Sequence, residues 1–502
     1  MSESASRSSA SSDKATLALY VLAWLCAVAW LVNPEVFISE DSYFYLVIAR
    51  RIAREGMQSF SGVFLTNGFH PLWGYLLAGY TWCVLKVAPS AILNAGYAAP
   101  LSGALLLGTI HHMVQLARRI GLDPIVVAVP VLVFFGCLDV LNSEAHLHIF
   151  ALAWLLRAAS VRPVATHWTG WLRLGVLVAI TTLARLDAAF LSAFILLWCL
   201  WRDRPCVWSL VVAAAAPLVS VGLYLVTNQI VFGSILPVSG WLKSTFPIPI
   251  VPALSMSGGY SSLAFGGYSI LFGWLPLVFS ISVVFWRRAS LASLAVLKPA
   301  LAGAAAQACY TTVFTSGWTL WKWYYVAPIA LSSIALGATL TGSFARRWMG
   351  RAALILALMA ICFLEMRKPT LRDDDPSVRT ARWIKDNVRP DETVLLSEFP
   401  GRAAFLSDAH VIAADMLTGN SFLYDEMVVS QNGLQFLLDS ARLRGHFVRY
   451  IVCNGGIFLR ASSITRLELH DPKVVSNARV LGALAVGMPS YQDPKLTVWT
   501  LR

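Results

Sequence analysis

The chain has 502 residues, of which 57% are hydrophobic and only 13% are Asp, Glu, Lys or Arg. Soluble proteins contain roughly 45–50% apolar and about 25% charged residues, so this composition excludes a water-soluble globule, a disulfide scaffold and a disordered chain. The formal net charge is +12, but much of the basic excess stands in short clusters between apolar runs. That is the positive-inside pattern of membrane proteins, and the sequence predicts a multi-pass membrane protein that binds no nucleic acid.

Residues 1–14 are polar and rich in serine, and no small-residue cleavage site follows the first apolar run. They are predicted to form a disordered cytoplasmic tail ahead of an uncleaved signal anchor. Residues 15–366 contain about eleven apolar segments that approach the ~20 residues needed to cross a bilayer. The predicted spans are 15–32, 97–117, 123–141, 146–160, 169–184, 187–201, 207–228, 263–285, 291–313, 323–342 and 350–366.

Basic clusters set the predicted orientation of these spans. The clusters expected in the cytoplasm are Arg118–Arg119, Arg157 with Arg162, Arg202 with Arg204, Arg287–Arg288 and Arg346–Arg347. An odd number of spans then places everything after Met366 outside. This parity requires the apolar segment 70–86 to lie in the outer face as a juxtamembrane helix. If that segment spans the membrane instead, Glu144 moves to the cytoplasmic side.

The long first external loop, residues 33–96, carries acids, aromatic residues and arginines. A helix over 41–55 places apolar and basic side chains on separate stripes, which is typical of a helix lying flat on a membrane. From spacing alone, Glu40 and Asp41 are equally explained as first-turn acids that stabilise the helix dipole. The arginines of this helix are equally explained as side chains that snorkel to lipid headgroups.

Residues 367–502 have frequent charges and no spanning run, so they are predicted to form an external soluble α/β domain. Short β-branched runs predict strands, and amphipathic stretches predict helices between them. The predicted strands are 393–396, 448–452 and 496–501, and the predicted helices are 378–387 and 434–443. No phosphate loop, nucleophile elbow or zinc spacing appears in this part of the sequence.

Two motifs of the first loop carry a resemblance to a known family. They read Glu-Asp-Ser-Tyr-Phe-Tyr-Leu-Val-Ile-Ala-Arg-Arg-Ile-Ala at 40–53 and Thr-Asn-Gly-Phe-His-Pro-Leu-Trp at 66–73. This pair resembles the first external loop of GT-C glycosyltransferases that use polyprenyl-phosphate sugars, a superfamily with bacterial arabinofuranosyltransferases, aminoarabinose transferases and protein mannosyltransferases. In that superfamily the loop carries an essential acid and then a His-Pro juxtamembrane helix. The resemblance implies a mainly α GT-C fold with Asp41 as the catalytic base.

Further matches follow in the order that the superfamily has. Leu-Asn-Ser-Glu at 141–144 resembles its second acidic loop without the usual Gly-Met, and Leu-Ala-Arg-Leu-Asp at 183–187 resembles its Arg-x-Asp turn. Phe-Gly-Ser-Ile-Leu-Pro-Val-Ser-Gly at 232–240, with Lys243, resembles its Phe-Gly-Ser-x-Leu-Pro loop. Residues 383–419 resemble the external tail of one bacterial branch. The resemblance covers most of the chain.

A sugar on a polyprenyl monophosphate is already activated, so such an enzyme needs a base for the acceptor hydroxyl and cations for the phosphate. The predicted catalytic residues are Asp41 and Glu144, and the predicted phosphate ligands are Lys243, Arg185, Arg50 and His70. The predicted substrate-binding residues are Glu40, Tyr45, Asn67, Asp187, Trp321 and Lys322. Two plainer interpretations stay open: a structural pair of Arg185 with Asp187, and a headgroup anchor at Lys243.

No metal site and no cofactor are predicted, because His146 and His148, two residues apart, diverge on a helix. A divalent cation at Glu40 and Asp41, as in some relatives, stays open. The sequence predicts transfer of one sugar, with inversion, to an extracytoplasmic glycan, lipid or protein in the plasma (bacterial inner) membrane, as in cell-wall arabinofuranosyl transfer. A secondary transporter or flippase of a lipid-linked sugar, or an inactive binder, is the alternative. The long first loop, the external domain and the lack of a detectable two-half repeat disfavour a transporter.

Overall fold

A computed structural model describes residues 2–161, 167–244, 246–249, 269–286, 295–314, 321–340, 352, 375–396, 400–413, 440–454, 491–493 and 496–500. Helices make up most of this part of the chain. Before residue 375 they are α1 Ser2–Val32, α2 Glu40–Glu55, α3 Pro71–Val87, α4 Ala99–Arg119, α5 Pro124–Cys137, α6 Ala145–Ala159, α7 Trp168–Ala184, α8 Ala189–Asp203, α9 Val207–Phe232, α10 Val238–Lys243, α11 Leu275–Trp286, α12 Leu297–Val313 and α13 Val326–Leu340.

Ten of the eleven predicted spans coincide with a helix of the structure, and the eleventh, 350–366, lies almost wholly outside the described residues. The helix predicted over 41–55 is present as α2, and its position at a membrane surface stays a prediction. Local signals set several helix ends. Asp123 caps α5 by accepting from the Ile125 amide (3.0 Å), and Gly56 ends α2 in the left-handed conformation that glycine adopts at little cost.

The structure continues α1 as a helix from Ser2, where the sequence predicts a disordered tail. The segment 2–32 contains no glycine and no proline, so nothing in it breaks a helix that the apolar part has nucleated. That residues 1–14 form a cytoplasmic tail stays a prediction.

The described basic clusters lie together at one end of the helical bundle, called the basic end below. Arg119 at the end of α4 donates to the carbonyl of Arg157 (3.3 Å). Arg202 near the end of α8 donates to the carbonyls of Ala159 (3.1 Å) and Val161 (2.9 Å) at the end of α6. Cationic side chains at helix C-termini satisfy open carbonyls and complement the helix dipole.

Two helical stretches among the described residues, Val207–Phe232 and Lys322–Leu340, are long and apolar enough to cross a membrane by length and composition. Shorter apolar helices of 10–17 residues accompany them in the bundle. Many large apolar side chains of α9 are exposed along its length, including Val219 and Leu223. Such a helix is unusual in water, because an apolar face normally packs against other protein.

Residues from Asp375 onward form a second module, the sheet module. Its helices are α14 Pro376–Asn387 and α15 Pro400–Ser407, and its strands are β1 Glu392–Leu396, β2 His410–Ala413, β3 Phe447–Asn454, β4 Tyr491–Asp493 and β5 Leu496–Thr500. The strands form one sheet in the order β2-β1-β3-β5-β4. β1 is parallel to β2 and β3, whereas β5 is antiparallel to β3 and β4. The three predicted strands coincide with β1, β3 and β5, and the predicted helix 434–443 lies mostly outside the described residues.

Two apolar cores organise the molecule. The larger core fills the helical bundle. The second core joins α2 and α3 to the sheet module, and its members include Tyr43, Leu46, Trp73, Leu77, Ile384, Val394, Phe405 and Val411. Because one continuous core packs both modules, the sheet module forms a wall for α2 and for the loops around it.

Candidate active site

The loops opposite the basic end surround a cavity of about 70 Å³, and this side of the bundle is called the site end below. Its lining residues are Asp41, Phe44, Tyr45, Gly68, Phe69, His70, Glu144, Ser239, Lys243, Trp323 and Tyr324. They come from the start of α2, the segment before α3, the α5–α6 turn, α10 and the segment before α13. Pockets that bury a small-molecule ligand are about 300–1,000 Å³. Entry of a larger substrate therefore requires these loops to move apart.

Two acidic loops are held side by side at this end. The Leu141 amide donates to the Phe37 carbonyl (2.9 Å), which joins the α5–α6 turn to the segment before α2. The turn itself passes through Asn142 in the left-handed conformation, which asparagine tolerates better than most residues. The indole of Trp73, in the His-Pro-Leu-Trp motif, donates to the Asn142 carbonyl (3.1 Å). These contacts bring Asp41 and Glu144 to one cavity.

Asp41 is in the first turn of α2 and lines the cavity. Burial raises the pKa of Asp41 above its ordinary value, the Glu144 carboxylate adds to that effect, and the cations of Lys243 and Arg185 oppose it. A carboxylate with a raised pKa is a stronger base than an ordinary aspartate. Asp41 is thus a buried base that faces two cations.

Glu40 turns away from the cavity although it precedes Asp41 in the chain. Its Oε1 accepts a hydrogen bond from the Arg402 amide (3.0 Å) in the sheet module. Burial raises the pKa of Glu40 to about 7, against the opposing effect of Arg402. The side chains of adjacent helical residues point about 100° apart, so Glu40 contacts the sheet module while Asp41 lines the cavity.

Arg185 lies in the turn between α7 and α8 and is only 2% exposed. Its guanidinium donates to Glu144 (2.8 Å), to Asp187 (2.8 Å) and to the Trp323 carbonyl (3.3 Å). It also lies over the ring of Tyr324, 4.3 Å from the ring centre. Burial alone lowers the pKa of Arg185, but the two carboxylates outweigh it and hold the pKa above the usual value. Its positive charge is therefore already paired with the carboxylates of Glu144 and Asp187.

Lys243 ends α10 and lines the cavity. Its ammonium donates to the hydroxyl of Tyr324 (2.9 Å). Burial lowers the pKa of Lys243, but Tyr324 and the Asp41 carboxylate outweigh it and leave the pKa above the ordinary value. Lys243 is thus a charged ammonium at the cavity that donates to the Tyr324 hydroxyl.

His70, Tyr45 and Asn67 organise the wall that the first loop provides. The His70 amide donates to the Tyr45 hydroxyl (3.4 Å), and its Nε2 is 3.8 Å from Glu144. Burial, with the Arg185 and Lys243 charges, lowers the pKa of His70 to about 3, so this imidazole is neutral at physiological pH. Asn67 accepts from the Val238 amide (3.0 Å) and ties the start of α10 to the first loop.

Three predicted site residues lie elsewhere. Arg50 donates to the Phe405 carbonyl (2.8 Å) and lies over the Phe405 ring, so it contacts the sheet module instead of the cavity. Lys322 forms an ion pair with Asp139. Trp321 stacks on Trp323 with 5.5 Å between ring centres, but it is outside the set of residues that line the cavity. Their placement does not support roles in phosphate or sugar binding.

The most important cavity residue outside the predicted site set is Tyr324, which belongs to an aromatic run around Lys322 that the sequence explains either as a membrane-interface belt or as a surface that stacks on a sugar. It contacts both Lys243 and Arg185, and with Trp323 it provides the aromatic wall of the cavity. The aromatic run around Lys322 was a usable signal for a sugar-stacking surface. Which members of the run face the cavity depends on the short 3₁₀ turn over Lys322–Tyr325, which the pattern alone does not reveal.

Among the described residues, no group of three or more His, Cys, Asp and Glu side chains is arranged to hold a metal ion. His146 bonds the Phe135 carbonyl (3.1 Å), and Glu40 and Asp41 have different partners. Lys243, Asp41 and Glu144 line the cavity, and Arg185 with Asp187 lies behind Glu144. This arrangement can hold an anion beside a carboxyl group.

No protein-family profile and no curated protein sequence matches this chain. Solved structures do match. ArnT from Cupriavidus metallidurans bound to undecaprenyl phosphate is similar with a TM-score of 0.60 and 13% identity, over 96% of this chain and 97% of that one. Its apo state is similar with a TM-score of 0.57 and 11% identity, over the same shares.

The two modules together therefore have the fold of ArnT. The GT-C fold implied by the loop motifs is confirmed. At 11–13% identity the likeness shows the fold alone, and the chemistry must be argued from this chain's own residues.

Proposed function

We propose that this protein is an integral membrane glycosyltransferase that moves one sugar from a polyprenyl-phosphate donor to an extracytoplasmic acceptor. The observation that carries the proposal is the meeting of the Asp41 carboxyl group with Lys243 in one cavity, where Arg185 lies behind the lining and donates to the lining residue Glu144. The relative bound to undecaprenyl phosphate has the same fold. That likeness supports a polyprenyl phosphate as the lipid carrier here.

In the proposed reaction Asp41 takes the proton of the acceptor hydroxyl as its oxygen attacks the anomeric carbon. The bond between that carbon and the phosphate oxygen breaks, and its electron pair leaves with the polyprenyl phosphate. Attack opposite the leaving group inverts the anomeric centre. A phosphate leaving group needs cations and no general acid, which fits a cavity lined by Lys243 and a neutral His70, with Arg185 behind Glu144.

Lys243 is the preferred phosphate ligand of the two cations. Arg185 already donates to two carboxylates, so a further anion gains little from it. Lys243 lines the cavity and donates to the Tyr324 hydroxyl, so a phosphate oxygen that enters the cavity can accept a charge-assisted hydrogen bond from its ammonium. We assign Arg185 to orienting Glu144 and Tyr324, and Glu144 to holding the acceptor near Asp41.

The aromatic wall is the proposed sugar platform. Trp323 and Tyr324 line the cavity beside Lys243, and aromatic faces bind the apolar faces of sugar rings through the same contacts that bury hydrophobic area elsewhere. Tyr45 lies on the first-loop wall and supplies a hydroxyl. Transfer of a pentosyl or of a hexosyl group is compatible with this lining, and so is a glycan, lipid or protein acceptor.

The decisive experiment incubates the purified protein in lipid nanodiscs with undecaprenyl-phosphate derivatives of aminoarabinose, arabinofuranose and mannose, plus a bacterial lipid and glycan extract. We expect one donor to be consumed, undecaprenyl phosphate to be released, and the product to have the inverted anomeric configuration by NMR. In a parallel assay with the protein in sealed vesicles, movement of the donor across the membrane without consumption would instead identify a flippase. Binding without consumption or movement would identify an inactive binder.

The proposed orientation has its own test, because the site must face away from the cytoplasm. Cys206, at the basic end, is exposed, and Arg442 is exposed in the sheet module. A maleimide that does not cross membranes, applied to intact cells, should label an Arg442→Cys variant and should reach Cys206 only after permeabilisation. Labelling of Cys206 alone would invert the scheme.

A further inference from the structure

The carboxylate next to the proposed base is built into the junction with the sheet module. Glu40 Oε1 accepts from the Arg402 amide (3.0 Å), and the Gly401 amide also hydrogen-bonds this carboxylate. Both amides belong to the first turn of α15, where backbone N–H groups have no partner within the helix. An acid from the first module thus caps a helix of the second.

The first turn of α2 has no anchor from its own N-cap. Ser39 makes no side-chain hydrogen bond to the backbone of the helix; its hydroxyl bonds the Ser42 hydroxyl instead (3.0 Å). Helix termini without capping bonds fray. The carboxylate of Glu40 therefore supplies a hydrogen-bonded contact between this turn, with Asp41 in it, and α15, beside the ring contacts of Tyr43 with Phe405 and Arg402.

The fit at this contact leaves no room for an added methyl group. A Cβ placed on Gly401 would lie 2.9 Å from Glu40 Oε1, 3.0 Å from the Glu40 carbonyl oxygen and 3.2 Å from the Phe44 nitrogen. Two of these three atoms are backbone, which cannot turn aside as a side chain can. The first turns of α2 and α15 are thus in direct backbone contact.

The rest of α2 is bound to the same module by basic side chains. Arg50 donates to the Phe405 carbonyl (2.8 Å), Arg51 to the Ala409 carbonyl (3.2 Å), and Arg54 pairs with Asp408 (3.0 Å). These contacts fix the far end of α2. Glu40 supplies the corresponding contact at the end where Asp41 lies.

We propose that Glu40 is a positioning residue: by capping α15 it holds the first turn of α2 against the sheet module and aims Asp41 into the cavity. The sheet module is then part of the catalytic machinery although none of its described residues lines the cavity. The expected effect on catalysis rests on the proposed function, whereas the role of Glu40 in holding α2 against the sheet module does not.

The first test compares Glu40→Ala with Glu40→Gln, using the donor that the nanodisc panel identifies. Glu40→Ala removes the cap, and we expect kcat to fall by about 10–10² because small misplacements of a reacting group are costly. Donor KM should stay within about twofold, since the phosphate ligand is untouched. Glu40→Gln keeps an oxygen acceptor for the two amides and should restore most of kcat. Equal loss in both variants, or no loss in Glu40→Ala, overturns the proposal.

A second variant approaches the contact from the other module. Gly401→Ala should wedge α15 away from α2 and reproduce the kcat loss of Glu40→Ala with Glu40 intact. Asp408→Asn is the matched control at the far end of α2, where it weakens the ion pair with Arg54. It should leave kcat near the wild-type value. A loss of the same size in Asp408→Asn would mean that general module docking, and not Glu40, sets activity.

Hydrogen exchange followed by mass spectrometry separates this proposal from the proposed function. Glu40→Ala and Gly401→Ala should speed exchange at residues 41–44 and 401–404, with residues 48–52 unchanged. Unchanged exchange at 41–44 overturns the positioning role whatever the activity. If the wild-type chain consumes no donor, the glycosyltransferase proposal fails, and faster exchange at 41–44 would still support Glu40 as the anchor of α2.

Discussion

The two ends of the helical bundle use the same residue types for opposite purposes. At the basic end, arginines donate to helix-terminal carbonyls, as Arg119 and Arg202 do. At the site end, Arg185 is bound by the carboxylates of Glu144 and Asp187. Aspartates differ in the same way. Asp123 caps α5 at the basic end, whereas Asp41 faces a cavity with two cations.

The charges at the basic end stabilise helix ends, whereas the charges at the site end form the candidate site. Charges that satisfy helix ends are replaceable, because water and neighbouring side chains provide similar contacts. Charges gathered in a buried cavity depend on each other, since each one left unpaired carries the full cost of its burial. The same substitution made at the two ends should therefore have very different effects, and matched pairs of variants test this directly.

The largest expected effect is that of Asp41→Asn at the site end, compared with Asp123→Asn at the basic end. Asn keeps the shape of Asp but cannot accept the acceptor proton, so turnover should fall by about 10²–10⁴ with donor binding nearly intact. Asn is about as good as Asp at a helix N-cap, so Asp123→Asn should be nearly silent. Initial rates and undecaprenyl phosphate binding by both variants provide the measurement.

The pH profile gives an independent check on Asp41. Because burial raises its pKa, protonation should remove the base at a pH above the ordinary aspartate pKa of about 3.9. Turnover should therefore fall on the acid side through that raised pKa and stay high above it. An Asp41→Asn enzyme that keeps wild-type turnover would leave Asp41 as a helix-terminal acid and end its assignment as the base.

The second largest effect should be on stability, from Arg185→Met. This change leaves Glu144 and Asp187 buried without their cation, and losing one partner of a buried ion pair costs about 3–5 kcal/mol of unfolding free energy. A triple variant that adds Glu144→Gln and Asp187→Asn removes the unpaired charges and should recover part of the loss. Denaturant or thermal unfolding in detergent measures both. A single variant as stable as the wild type would contradict the paired cluster.

Sequence reasoning placed the bundle helices well because apolar runs and helix caps are local signals. It failed where a distant segment decides the outcome. Residues 138–141, apolar apart from Asp139, were assigned to a span, but α5 ends at Cys137. The Leu141 amide bonds Phe37, about a hundred residues earlier, and no local pattern contains that contact.

The same limit applies to the candidate site, whose sequence motifs are local signals but whose contacts with the sheet module are not. Motif order indicated Asp41, Glu144, Arg185 and Lys243, and the structure brings all four together. Arg50 points toward the sheet module because its guanidinium donates to the carbonyl of Phe405. That contact forms between residues 355 positions apart in the chain. The periodicity of α2 showed two stripes, but it did not show that a second module covers one of them.

The next effect in size is expected at the phosphate. Lys243→Met should weaken binding of undecaprenyl phosphate by about 1.5–3 kcal/mol, the worth of one hydrogen bond to a charged group. Lys322→Met is the matched control, because that lysine pairs with Asp139 and should leave lipid affinity unchanged. Titration of the lipid into each variant in nanodiscs measures the difference. Equal affinities in Lys243→Met and the wild type would reduce Lys243 to a headgroup anchor.

The smallest effect belongs to the basic end. Arg119 is exposed and donates one hydrogen bond to the Arg157 carbonyl, which water replaces when the side chain is shortened. Arg119→Gln should therefore change the free energy of unfolding by less than about 1 kcal/mol and leave both turnover and lipid binding at their wild-type values. Unfolding curves and initial rates, measured beside Arg185→Met, complete the comparison. A loss of turnover in Arg119→Gln would mean that the two ends are coupled, because no described contact of Arg119 reaches the cavity.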